Sequence, residues 1–113
     1  MSSIRLYPTN ITAQRLHTLA QLYQQGQVSA LLERTLNKLL SHEADVCRQQ
    51  LAQLETELAA FEQQYQLSST EFYRQFQAGQ TDDRMDYVEW ASLVQMHANL
   101  QERLKLLTDE TQT

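Results

Sequence analysis

The side chains that most often carry out catalysis or bind metals are few in this chain and far apart. His17, His42 and His97 have no carboxylate or thiol near them at the spacing of a ligand set. Cys47 is the only cysteine and falls in an apolar repeat, where a buried thiol acts as a small hydrophobic side chain. The chain has no glycine-rich phosphate loop and no serine or cysteine nucleophile motif. We therefore expect no enzymatic activity, no catalytic residues and no cofactor.

The acidic stretch TDDRMD, with Glu89 beyond it, is the one place where a metal site deserves testing against known patterns. It lacks the ligand spacing and the central glycine of a calcium-binding loop, so we expect no metal. Acidic side chains are favourable at the positive end of a helix. The stretch therefore predicts that Asp82 or Asp83 caps the N-terminus of a last helix.

Composition favours helices in a chain of 113 residues that is 42% hydrophobic and holds only two glycines and one proline. No run of about 18 apolar residues is present, and the N-terminus lacks the basic and apolar blocks of a signal peptide. We expect no membrane partner and a cytoplasmic location. A single cysteine excludes an internal disulfide, which fits a reducing compartment.

Charge is distributed unevenly along the chain. Residues 1–40 hold four basic residues against Glu33 alone, a net charge of +3, whereas residues 41–113 hold five basic and thirteen acidic residues, a net charge of −8. A basic head and an acidic body indicate two surfaces with different partners. A surplus of three positive charges over forty residues also arises by chance, so charge alone does not decide between the two explanations.

The N-terminal pattern is a short strand followed by two helices. Ser3–Pro8, read as SIRLYP, alternates like a β-strand and has no second strand to pair with in this chain. A helix follows, with apolar residues at helical spacing and Gly26 as its predicted end. Because the link to the next helix, which starts near Val28, is so short, the two helices must be neighbours.

A heptad repeat continues along the second helix, which is predicted to run from about Val28 to Gln66. Such a coiled-coil seam needs a second helix, supplied by another copy or by the chain folding back. Ser68 and Glu71 form a capping-box pattern that predicts a short third helix. The residues at 3-4 spacing on the two long helices are Leu40, Ala44, Cys47, Leu51, Leu54, Leu58, Phe61 and Tyr65, and then Trp90, Leu93, His97, Leu100, Leu104 and Leu107.

The order of strand, helix, glycine turn and longer helix resembles the ribbon-helix-helix family of bacterial DNA-binding proteins. The resemblance rests on the strand, on Ala20, on Gly26 and on apolar positions in the two helices. It implies an all-α homodimer with one short N-terminal β-strand, paired between copies as an antiparallel ribbon, and a helical C-terminal extension. It also implies a DNA-binding and dimerisation domain at residues 1–42 and an acidic extension at residues 43–110. The implied dimer core consists of Ile4, Leu6, Leu16, Leu19, Leu31 and Leu32.

The family resemblance also implies which residues contact operator DNA. Ser3, Arg5 and Tyr7 lie on the outward face of the strand, where they would read bases in the major groove. Gln27, Val28 and Ser29 begin the second helix, whose free N–H groups suit a phosphate. For Ser29, an ordinary solvated hydroxyl at a helix start is an equally good explanation.

The extension looks like the C-terminal part of uncharacterised prokaryotic antitoxin-like proteins, through its EW, spaced aromatic and RL positions. We therefore expect a transcriptional repressor that is the antitoxin of a type II toxin–antitoxin pair, with a basic ribonuclease as one possible toxin. Alternatives are a helical dimeric adaptor that does not bind DNA, and a stand-alone repressor. The toxin-binding candidates are Phe72, Phe76, Tyr87, Trp90 and Met96, although aromatic residues at this spacing equally serve to fold the last helix back on the heptad seam.

Overall fold

A computed structural model describes residues 9–108, which form four helices. They are α1 (Thr9–Gln24), α2 (Ala30–Tyr65), α3 (Ser69–Gln77) and α4 (Met85–Thr108). The expected all-α class is confirmed for these residues, as is one long second helix. No helix among them is long and apolar enough to cross a membrane. The chain divides into two compact units, one ending at Asn37 and the other beginning at Lys38.

The first unit contains α1 and the start of α2, joined by a tight turn at Gly26. Gly26 has a φ of 69°, and the N–H of Gln27 donates to the carbonyl of Leu22 at 2.9 Å. This hydrogen bond and left-handed glycine end the helix as the sequence predicts. Ser29 then caps α2, because its Oγ accepts a hydrogen bond from the N–H of Leu32 at 3.0 Å.

The second unit is a helical hairpin in which α4 runs antiparallel to α2. Cross-helix contacts fix this direction, because partners of successively later α4 residues lie successively earlier on α2. The contacts are Tyr65 with Asp86, Glu55 with His97, Cys47 with Leu100, and Glu43 with Arg103. The heptad seam is therefore covered by α4 of the same chain. Of the two alternatives that the repeat left open, a second copy and the chain folding back, the structure shows the second.

The hairpin core is built from the heptad positions of α2 and one side of α3 and α4. Trp90, Phe72 and Cys47 are the largest side chains that are fully buried. Phe72 stacks on Trp90 with ring centroids 3.9 Å apart and planes within 2°. The complete set of buried residues in the described part of the chain is Ala44, Cys47, Leu51, Leu54, Leu58, Phe72, Trp90, Ala91 and Leu93.

The turn between α2 and α3 is fixed by three caps within a few residues. Gln66 has a φ of 52°, and the N–H of Leu67 after it donates to the carbonyl of Glu62. Ser68 caps α3, accepting from the N–H of Glu71 at 3.1 Å, as the capping-box pattern predicts. The Glu62 carboxylate on α2 accepts from the N–H of Ser69 at 2.8 Å, so a second helix also caps α3.

The start of α4 differs from its prediction. The helix begins at Met85, and the residue at its cap is Arg84, whose carbonyl accepts from the N–H groups of Tyr87 and Val88, not Asp82 or Asp83. Asp82 accepts from the N–H and the guanidinium of Arg84, at 3.1 Å and 2.9 Å, and so shapes the loop before the helix. The acidic residue within the first helical turn is Asp86.

The ribbon-helix-helix identification is wrong. That fold is defined by a strand ribbon, whereas residues 9–108 contain helices, turns and bends and no β-strand. The run Ser3–Pro8, to which the strand was assigned, lies outside the described residues. The identification failed because helix, glycine turn and helix is a pattern shared by any tight pair of helices.

Candidate functional site

The closed end of the hairpin is an aromatic cluster, and it contains several of the predicted toxin-binding residues. Trp90 and Phe72 are 0% and 1% exposed, so the folded hairpin offers neither to a partner. Phe76 and Tyr87 are half-buried against the same core. Met96 is 50% exposed and lies farther along α4. Two of the five predicted toxin-binding residues, Phe72 and Trp90, thus belong to the hairpin core. Met96 is the one of the five whose side chain is exposed.

Two hydrogen bonds satisfy the indole of Trp90 and the hydroxyl of Tyr65 in this aromatic cluster. The indole N–H of Trp90 donates to Ser69 Oγ at 2.9 Å. The Tyr65 hydroxyl donates to the Asp86 carboxylate, and this hydrogen bond, together with partial desolvation, raises the pKa of Tyr65. Buried or half-buried polar groups need such partners, so the cluster is a completed structural core.

The ion pairs of Arg with Asp or Glu lie at the two ends of the hairpin. At the open end, Arg48 pairs with Asp45 and Arg103 with Glu43, each at 2.9 Å. At the closed end, Arg74 pairs with Glu71 at 2.6 Å. This contact and a hydrogen bond from Gln75 lower the pKa of Glu71 to about 2. Arg84 pairs with Asp82 at 2.9 Å, lies 4.7 Å above the Tyr87 ring, and lowers the pKa of Asp82.

Between these ends, the middle of the hairpin carries acidic residues and no lysine or arginine. The sequence has no Lys or Arg from residue 49 to 73 and none from residue 85 to 102. Glu55, Glu57 and Glu62 fall in the α2 part of this section, and Asp86, Glu89 and Glu102 in the α4 part. Its carboxylates are therefore not neutralised by an arginine or lysine within the same section, so its electrostatic potential favours a cationic partner.

A groove between α2 and α4 opens on one side of the seam in this section. We call it the amide groove; its volume is about 410 Å³. Leu54, Leu100 and Met96 give it apolar surface, and Glu57 is its one charged group. The remaining lining residues are Gln50, Gln53 and Asn99. Apolar surface with a few polar groups around it is the usual make-up of a protein-binding cleft.

A second cavity, the glutamate pocket, lies on the other side of the seam and has a volume of about 360 Å³. Its charged groups are Glu55, which contacts His97 at 2.9 Å, and Glu62, which caps α3. The remaining lining residues are Leu58, Ser69, Thr70 and Val94. Both carboxylates of this pocket already have partners within the hairpin. The pocket is therefore a weaker candidate for binding a cationic group than the amide groove.

Sequence reasoning missed Glu55, Glu57 and Glu62 as candidates, because it selected large aromatic residues. The signal that could have found them is present in the sequence. It is the absence of any basic residue between Arg48 and Arg74, and again between Arg84 and Arg103. What the sequence alone does not give is the antiparallel pairing that brings these two sections side by side.

The predicted DNA-contacting and dimer residues fall in or before the first unit. Ser29 is engaged as the cap of α2, Val28 is half-buried and Gln27 is exposed. In the predicted dimer core, Leu19 and Leu32 are half-buried, whereas Leu16 and Leu31 are 59% and 67% exposed. Ser3, Ile4, Arg5, Leu6 and Tyr7 lie outside the described residues.

Among residues 9–108, no three His, Cys, Asp or Glu side chains are grouped so that they could hold a metal ion. Cys47 is 1% exposed, and its thiol donates to the carbonyl of Leu100 at 3.2 Å. His97 contacts a single carboxylate, that of Glu55. These contacts of Cys47 and His97 hold α2 and α4 together.

Comparison with known proteins gives no relative from which a role could be transferred. The absence of a family match removes the remaining support for the ribbon-helix-helix resemblance, already contradicted by a described chain without a strand. No family model, no curated protein and no solved structure matches this chain.

Proposed function

We propose that this chain is a non-catalytic binding protein whose acidic hairpin holds a basic protein partner, as the antitoxin of a toxin–antitoxin pair does. The observation that carries the proposal is the middle section of the hairpin, where carboxylates flank an open groove without any lysine or arginine. Complementary charge steers a basic partner to such a surface and sets its orientation. The DNA-reading ribbon is not part of this proposal.

The amide groove is the binding site in this proposal. Leu54, Leu100 and Met96 would contact an apolar side chain of the partner, and Glu57 would pair with a lysine or arginine beside it. Met96 is 50% exposed, so its flexible thioether can adapt to the partner without unfolding the hairpin. The aromatic cluster holds α2, α3 and α4 in place and is not itself a contact surface.

The test uses the product of each neighbouring open reading frame, with a small basic protein as the expected partner. Full-length chain and candidate partner are co-expressed, and the dissociation constant is measured at two salt concentrations. Glu57→Lys should weaken binding about tenfold or more, because it places a like charge against a basic surface. Asp83→Lys is the matched control, an equal charge change at an exposed loop residue outside both the groove and the acidic middle section, and it should change binding less than threefold.

The antitoxin assignment within this proposal depends on a separate growth assay. The partner alone should arrest growth, the wild-type chain should restore it, and Glu57→Lys should restore it less well than Asp83→Lys. A complex without any growth arrest would favour a helical adaptor, which uses the same groove for a harmless partner. If neither neighbouring product binds, or if both lysine variants bind equally well, the groove assignment is refuted.

A further inference from the structure

Residues 10–37 of the first unit differ from the hairpin in containing no buried core. None of residues 10–37 is buried, whereas every buried residue of the described chain lies between Ala44 and Leu93. Ile11, Leu16 and Leu31 are 48%, 59% and 67% exposed. The helix pair of residues 9–37 therefore presents apolar side chains that its own two helices do not cover.

One polar group in this helix pair is enclosed as well. The Tyr23 hydroxyl lies beside the Glu33 carboxylate without a hydrogen bond of normal geometry among the described residues, and burial together with that carboxylate raises the pKa of Tyr23. Glu33 is therefore the polar neighbour of this hydroxyl within the pair. It is the exposed apolar side chains that lack contacts which residues 9–37 could supply.

Size explains why those contacts must come from association. A unit of about 40 residues or fewer buries too little surface to fold alone and is usually supported by disulfides, metals or oligomerisation. Residues 9–37 contain no cysteine, and no metal-binding group is found in the described part of the chain. Oligomerisation is the support that remains.

We propose that the helix pair of residues 9–37 joins the same pair of a second copy to form a four-helix core. Charge favours a second copy over a strongly charged partner, because residues 9–37 carry only Arg15, Arg34 and Glu33, a net charge of +1. The hairpin, residues 38–108, carries eleven acidic and six basic residues and would repel its own copy more strongly. Two helix pairs related by a two-fold axis bury the same leucines from both sides, as closed dimers do.

In this assembly Leu16 and Leu31 lie at the interface between the two copies. The inference does not rest on the proposed function, because it uses residues of the other unit and its test needs no partner protein.

The test is the mass of the full-length chain by sedimentation equilibrium over a range of concentrations. Wild type should be a dimer, with twice the mass of one chain. Leu31→Glu should raise the dissociation constant of the dimer about 100-fold or more, because it places an unpaired charge in an apolar interface. Leu106→Glu is the matched control: Leu106 is 73% exposed on the hairpin, and this variant should remain dimeric.

Amide hydrogen exchange makes the result interpretable if a variant folds poorly. Hairpin peptides of Leu31→Glu should exchange as in wild type, while peptides from residues 9–37 lose protection as the dimer dissociates. Leu16→Ala, which preserves helix propensity, should weaken the dimer in the same direction by a smaller factor. A wild-type chain that is monomeric at every concentration overturns the proposal. An equal increase in the dissociation constant of the dimer for Leu31→Glu and Leu106→Glu overturns the proposal too.

Discussion

The hydrogen bond between the Trp90 indole and Ser69 leads to the most specific stability prediction. Trp90 is 0% exposed, so its N–H cannot turn to water when Ser69→Ala removes the acceptor 2.9 Å away. Leaving a buried donor unpaired costs about 1–3 kcal/mol. Alanine is a better helix former than serine by about 0.5 kcal/mol, and Ser69 lies in the first turn of α3. We therefore expect Ser69→Ala to destabilise the hairpin by about 1–2 kcal/mol.

A double-mutant cycle isolates this hydrogen bond from other effects of the substitution. Trp90→Phe removes the donor and keeps an aromatic ring against Phe72. In that background Ser69→Ala should be neutral or slightly stabilising, so the coupling energy should be about 1–2 kcal/mol. The assay is amide hydrogen exchange of peptides from α3 and α4, because it reports on the hairpin separately from residues 9–37. An equal cost of Ser69→Ala with Trp90 and with Phe at position 90 would refute the reasoning.

Two further predictions concern the turn after α2 and the acid limit of stability. Gln66→Gly should stabilise the hairpin by about 0.5–1 kcal/mol, because a glutamine at a φ of 52° is in the left-handed region that glycine occupies without strain. Urea unfolding measures this change in stability. An equal gain from Gln66→Ala would contradict the prediction. Glu71 has a pKa of about 2 in the folded chain, below its ordinary value of 4.5, so the stability it contributes is present above pH 4.5 and is lost as the pH falls toward 2. Glu71→Gln should flatten the decline in urea midpoint between those pH values, and an unchanged decline would show that other carboxylates cause it.

The seam from Ala44 to Leu58 shows what sequence could predict about this fold. Its 3-4 spacing predicted a buried stripe, and all of its apolar positions in that span are buried. The spacing did not identify the covering helix, because a second copy and the chain's own α4 satisfy a heptad equally well. The decision came from tertiary complementarity, with Cys47, Glu55 and Tyr65 each meeting a partner on α4.

Helix ends were predictable from sequence where the residue itself prefers a helix end, and not where tertiary contacts create the cap. Gly26 and Ser68 carry intrinsic preferences for helix ends, and both end or begin helices as predicted. The end of α2 near Gln66 was predicted, but Gln66 has no preference for a positive φ, so its left-handed conformation was not. The cap that Glu62 provides for Ser69 comes from tertiary structure and is likewise absent from local sequence. The candidate groove was missed for the same reason, because its two walls belong to distant segments.

The spacing of the cross-helix contacts has a consequence for the order in which the hairpin assembles. Tyr65 and Asp86 meet across 21 residues of chain, whereas Glu43 and Arg103 meet across 60. Closing the longer loop first would cost roughly 1 kcal/mol more in chain entropy, since each doubling of loop length adds about 0.6 kcal/mol. The aromatic end also holds the largest side chains, so both entropy and packing favour its forming first. The contacts between α2 and α4 then form in order from the aromatic end toward Glu43. On heating they are lost in the opposite order, beginning at the open end.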